Sequence, residues 1–191
     1  KVYAILSEGL AKHDKSQLEK AKKNINRLTN DVEELRENIF YFIKNLEESS
    51  LSASNFYIVI ISLIQDIADD LEYIVNKSYK HVNNDHSKLK LSQIRDLKDV
   101  YELTEAVFHE AMEAFEKNSE VKITALLEKR AEVIQKLDEK INLQIELTRN
   151  EETSPKNTTL YFNILLKSKD LYHHKLNIIE LFLENIRKTE A

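Results

Sequence analysis

Between residues 16 and 49 the apolar positions are Leu18, Ala21, Ile25, Leu28, Val32, Leu35, Ile39, Phe42 and Leu46. Their spacing alternates between three and four, which lays one apolar stripe along one helix face. About 30 residues at 1.5 Å each predict a rod of roughly 45 Å. Its opposite face is charged, so the stripe predicts packing against neighbouring helices in coiled-coil-like geometry. A second rod is predicted over about 91–117, through Ile94, Leu97, Tyr101, Thr104, Phe108, Ala111 and Phe115. A third runs over about 120–148, through Ile123, Leu127, Ile134, Leu137, Ile141 and Ile145. Two further segments, about 54–80 and 158–188, are apolar over a wider arc, as central helices with several neighbours must be. Residues 1–12 read as the surviving end of a sixth helix.

The breaks have local causes. "HDKS" offers Asp14 and Ser16 as caps, "SSLSAS" offers hydroxyl N-caps, and "EETSPKNTT" sets Pro155 and Thr158 ahead of the last helix. The two halves also resemble each other. Val2-Tyr3, Glu8, Leu10 and Lys12 correspond to Val107-Phe108, Glu113, Phe115 and Lys117, 105 residues on. Phe56-Tyr57, Ile60, Ile61, Asp66, Ile67 and Ile74 correspond to Leu160-Tyr161, Ile164, Leu165, Asp170, Leu171 and Ile178, 104 residues on. The expected fold is therefore all-α, six helices arranged as two tandem three-helix bundles. Residues 1–80 would form the first unit with a shortened first helix, 81–90 a connector, and 91–191 the second unit.

Composition narrows this further. One glycine and one proline in 191 residues, against usual frequencies of about 7% and 5%, leave few turns for a sheet protein. There is no cysteine, hence no disulfide and no thiolate chemistry. The formal net charge is −5, with basic and acidic residues interleaved, so no stripe for nucleic acid is expected. The longest apolar run, "FYIVIISLI", is far short of the roughly 20 residues that span a bilayer. With no initiator methionine, the chain reads as a piece of something longer.

Two clusters carry candidate chemistry. Asp66 and Asp70 are four apart on one predicted helix, and their repeat partners Asp170 and His174 are again four apart. Paired motifs of this kind are what a carboxylate-rich metal cluster in a bundle uses. The competing expectation is that they are solvated carboxylates at a bundle edge. The second cluster is "YKHVNNDHSKLKLSQI", with His81, Asn83, Asn84, Asp85 and His86 within six positions. Imidazoles and a carboxylate can bind zinc or iron, but Asn and Asp residues there are expected to end one helix and cap the next. His173 and His174 point about 100° apart on a helix and do not chelate together. No nucleophile has an activating neighbour, and one glycine allows no phosphate-cradling loop. Neither a catalytic residue nor phosphate binding by the chain itself is expected.

Two tandem three-helix units with "LIQDIADDLEYIV" in the third helix resemble PhoU, the phosphate-signalling regulator of bacteria. PhoU proteins carry Glu or Asp, three residues, then Asp on this helix, and hold iron or zinc clusters with it. "DIADD", Asp66 to Asp70, has that form, and the second-half match "DLYHH" ends in His174. "SYKHVNNDHSKLKLSQI" is similar to a segment of the PhoU-like domains appended to sodium-dependent phosphate transporters of Bacteroidetes-type bacteria. His81, Val82, Asn83, Asn84 and His86 carry that likeness. The resemblance implies a non-catalytic regulatory domain at the cytoplasmic face of the inner membrane. Its partners would be the membrane transporter portion of the same polypeptide and phosphate-signalling proteins, with a homodimer compatible and nucleic acid excluded. No resident cofactor is assigned, iron or zinc at Asp66, Asp70, Asp170 and His174 being the metal alternative.

Overall fold

The computed structural model describes residues 2–46, 51–117, 119–150 and 154–190. Seven helical segments make the six expected rods: α1 (Val2–Lys12), α2 (Lys15–Lys44), α3 (Leu51–Asn83), α4 (Leu91–Glu116), α5 (Glu120–Glu128), α6 (Arg130–Asn150) and α7 (Pro155–Glu190). No strand occurs among the described residues. The rod expected over 120–148 is broken at Lys129, where Arg130 turns toward α7 and bonds His173, Asn177 and Glu180.

α1, α2 and α3 pack on one another, while α4, α5 and α6 gather around α7. The pair α3 and α7 joins the two trios. It is antiparallel: Phe56 meets Phe182 at one end, and Tyr73 meets Asn163 toward the other. Both helices are multiply contacted, as their wide apolar arcs predict, and Ile74, Val75, Ile164, Leu165 and Leu176 are almost fully buried. Helix bounds follow the internal repeat. α2 begins 105 residues before α5, and α3 begins 104 residues before α7, whereas α1 matches only the second half of α4.

Local chemistry accounts for the corners. α1 ends with His13 at φ 56°, with Asp14 N–H donating to Gly9 O at 2.8 Å and His13 N–H to Leu10 O at 3.2 Å. This left-handed cap satisfies carbonyls the helix would otherwise orphan. Asp14 then caps α2, its carboxylate accepting from Ser16 and Gln17 N–H. Gly9 lets α1 lie against α2, since a Cβ there would stand 2.9 Å from the buried Leu18 side chain. The last helix starts at Pro155, one residue after Ser154, so Thr158 lies inside α7 rather than ahead of it. Of the serines expected to cap α3, Ser49 and Ser50 fall outside the described residues, and Ser52 and Ser54 lie inside the helix rather than ahead of it.

The α2 stripe is only half buried. Leu18, Ala21, Ile25 and Val32 are in the core, but Leu35 and Phe42 are exposed. The reason is length: α1 has 11 residues, α2 has 30 and α3 has 33, so the α2–α3 hairpin outruns the helix that would cover it. Phe108 and Ile145 are likewise exposed, contrary to their place in the expected stripes.

Candidate functional site

The four residues singled out on the repeat do converge, along the α3–α7 contact. The imidazole of His174 lies 3.5 Å from Asp70 (Nε2 to Oδ2) and 3.8 Å from Asp66 (Nδ1 to Oδ2). Asp170 joins through Lys167, whose ammonium sits 3.2 Å from Asp170 Oδ2 and 2.8 Å from Asp70 Oδ1. Asp70 and His174 are repeat counterparts that face each other, so the cluster lies where the two halves meet. His173, the next residue, turns away and takes the Arg130 hydrogen bond at 3.2 Å.

Solvated carboxylates describe Asp66 and Asp170, whose side chains are about half exposed, but not Asp70, which is buried. Asp70 occupies the face of α3 that packs on α7, and its side chain enters the contact. Burial raises the Asp70 pKa above the ordinary carboxylate value and outweighs the Lys167 ammonium, which lowers it. Lys167 is raised in turn, chiefly by its bond to Asp70. Lys167 is not legible in the sequence as a site residue. It reads as one more surface lysine, three positions before Asp170, and its repeat counterpart is Leu63.

Asp70 Oδ2 and His174 Nδ1 are buried and make no hydrogen bond, which is the kind of orphaned donor set a metal ion would satisfy. Yet no group of three His, Asp or Glu side chains among the described residues is disposed to hold one ion. The ammonium of Lys167 already stands between the two carboxylates that would have to be shared. The residues as arranged do not fit an iron or zinc cluster; they form a salt-bridged polar joint between the halves.

The second cluster ends α3. His86 N–H donates to His81 O at 3.2 Å, Asp85 N–H to Val82 O at 3.1 Å, and Asp85 has φ 52°. That pair of bonds is a left-handed helix stop with Asp85, rather than either asparagine, in the strained position. The His81 and His86 rings meet edge to face at 5.1 Å, which supplies the side-chain contact such stops commonly have. His81 is buried and its Nε2 donates to Ser87 O at 3.0 Å; burial lowers its pKa. Asn83 and Asn84 are exposed. α3 thus extends through His81 to Asn83, inside the expected connector.

A third polar group carries no signal in the sequence. Tyr161, buried in α7, donates to Asp96 at 2.9 Å, and Lys140 bridges Asp96 at 2.7 Å and Asp99 at 3.3 Å. It tethers α4, α6 and α7 and borders a groove of about 480 Å³.

In comparisons with known proteins, no family model matches the chain, and no curated protein matches it. Among solved structures it superposes on the crystal structure of PhoU from Pseudomonas aeruginosa with a TM-score of 0.82, at 10% identity, over 98% of this chain and 90% of that one. The chain has the PhoU-like fold. At that identity the likeness shows architecture alone. No helix among the described residues is long and apolar enough to cross a membrane.

Proposed function

We propose that this chain is a non-catalytic regulatory domain of phosphate uptake that docks on a sodium-dependent phosphate transporter at the cytoplasmic face of the inner membrane. The observation that carries this is the uncovered end of the α2–α3 hairpin. Phe40 is 59% exposed and Tyr41 68%, and Leu35, Phe42, Tyr57 and Ile58 are exposed beside them. Large apolar groups clustered at one end of a charged bundle mark an interaction surface. Phe42 meets Tyr57 edge to face at 5.9 Å, and Phe56 meets Phe182, which packs on Phe115 at 4.6 Å. The end is therefore held by an aromatic chain reaching into α7 and α4. A contact there bears mechanically on the α3–α7 pair that joins the two trios.

The likeness of "SYKHVNNDHSKLKLSQI" to transporter-appended domains supports attachment to the transporter itself. A free-standing PhoU-type regulator, working with phosphate-signalling proteins, would use the same surface, and upstream membrane spans in the full reading frame distinguish the two. A photo-crosslinking amino acid at Tyr41, in native cells, is expected to capture the transporter. Phe40→Ser combined with Tyr41→Ser is expected to abolish capture and alter phosphate uptake while changing stability by only about 0.5 kcal/mol, as exposed positions do. Uptake and capture indistinguishable from wild type would refute this reading.

A further inference from the structure

Two grooves lie at opposite ends of the α3–α7 pair, and they are built from equivalent positions. One, of about 230 Å³, is lined on α3 by Lys77, Lys80, His81 and Asn84. The other is lined on α7 by Leu181, Glu184, Asn185 and Lys188, each 104 residues further on. Across from them, Thr159, Leu160 and Asn163 in the first groove correspond to Asn55, Phe56 and Val59 in the second. The duplicated fold therefore makes the same depression twice. Its chemistry is not the same.

In the α3-end groove the lining holds Lys77, Lys80 and Lys156 with His81 and His86, and no carboxylate. Elsewhere lysines are neutralised along their own helices, as Lys12 is by Glu8, Lys117 by Glu113 and Lys136 by Glu132. Among the described residues none of the three groove lysines is in an ion pair; Lys77 instead lies over the Tyr73 ring at 5.1 Å. The Tyr73 hydroxyl donates to Asn163 Oδ1 at 3.3 Å, which leaves the Asn163 amide nitrogen as a donor. α7 begins here, so its positive dipole end adds to the lysines. The negative end of α3 is also here, but the carbonyls of Lys80, His81 and Val82 in its last turn are occupied by the N–H groups of Asn84, His86 and Asp85. The uncompensated charge is positive.

We infer that this groove binds a phosphoryl group, whether of inorganic phosphate or of an anionic lipid headgroup, through Lys80, Lys156 and the neighbouring donors. Ammonium groups lining one depression can give an oxyanion charge-assisted hydrogen bonds. The inference goes beyond the docking reading and does not rest on it, because the groove and the hairpin tip share no residue. Periodicity and spacing carry no hint of it, since the lysines come from two helix ends far apart in the chain and no glycine loop is involved.

The test is a ¹⁵N–¹H titration of the whole chain with inorganic phosphate at constant ionic strength, paired with sedimentation on phosphatidylcholine vesicles with and without phosphatidylglycerol. Saturable shifts are expected at residues 77–86 and 156–163, or retention by the anionic vesicles alone, and the arm that responds names the source of the phosphoryl group. Lys80→Gln with Lys156→Gln should weaken the response by about tenfold, the loss of one or more charge-assisted hydrogen bonds. Both lysines are exposed, so the thermal midpoint should stay put. Lys188→Gln, which removes the lysine that lines the twin groove, should leave the response intact. Silence in both arms, or a response the double variant keeps, overturns the inference.

Discussion

Lys167→Met isolates the polar joint between the halves. In the native chain the buried Asp70 carboxylate has one close cation, Lys167 at 2.8 Å, with His174 at 3.5 Å. Removing one partner of a buried pair costs about 3–5 kcal/mol. The Lys167 side chain is 34% exposed, so water screens part of the interaction and the expected loss at pH 7 is about 2 kcal/mol. The loss must depend on pH. Asp70 has its folded pKa raised by burial, so its charged form disfavours the fold. Stability gained by protonating it appears as pH falls through that raised pKa. Without Lys167 the pKa climbs further, and the penalty is full at pH 7 and disappears once Asp70 is neutral. Of the other groups facing the carboxylate, Asp170 raises its pKa further by repulsion and His174 works against that rise. Urea unfolding of wild type and Lys167→Met at pH 7 and at pH 4 measures both values, with slopes compared to verify two-state behaviour. Asp70→Asn combined with Lys167→Met should recover at least half of the loss, since no buried charge remains. A deficit under about 0.5 kcal/mol at pH 7, the level of an ordinary surface change, or one equal at both pH values, would refute the assignment of Lys167 as the counterion.

Gly9→Ala should destabilise the chain. The new methyl would stand 2.9 Å from Leu18 Cδ2 and Cγ and 3.3 Å from Gln17 Cβ, and overpacking costs about 1–3 kcal/mol, against about 1 kcal/mol gained in helix propensity; a urea midpoint at or above wild type would contradict this. Asp85→Gly should stabilise, because φ 52° at that position costs a non-glycine residue about 1–2 kcal/mol and the greater freedom of unfolded glycine returns about half of it. A rise of about 2–4 °C per kcal/mol in the thermal midpoint is the readout, and a fall would mean that the Asp85 side chain contributes contacts of its own.

What is readable in the sequence is whatever depends on one helix or on the repeat. The steps of three and four from Leu18 to Val32 mark a buried face, and the same steps from Leu35 to Phe42 mark an exposed one. Periodicity reports that a face is apolar; whether it is covered depends on the length of a neighbour. Asp66, Asp70, Asp170 and His174 can be brought together because a spacing of four and an offset of 104 place them on facing surfaces of equivalent helices. Lys167 cannot, because its partner Asp70 lies on another helix and its repeat counterpart is apolar. The break at Lys129 carries no proline or glycine. Its cause is the set of α7 acceptors for Arg130, which no local pattern encodes.

Duplication also explains where function should be sought. In a pair of helices related by one offset, a residue in contact with its own counterpart sits on the relating axis, and Asp70 with His174 does so at 3.5 Å. Had the halves stayed alike, that position would hold like groups facing each other, which for two aspartates means repulsion in a buried place. An imidazole on one side and a lysine at a position that is Leu63 on the other turn the repulsion into attraction. The symmetry is thus broken first at its centre, for stability. At the ends of the same pair it is broken again: Lys77 and Lys80 stand where Leu181 and Glu184 stand in the twin groove. No packing demand requires that, because all four positions border open grooves. A difference between equivalent positions that stability does not require is where binding chemistry is free to reside, and the α3-end groove is the end of this helix pair, among the described residues, where the difference collects charge of a single sign.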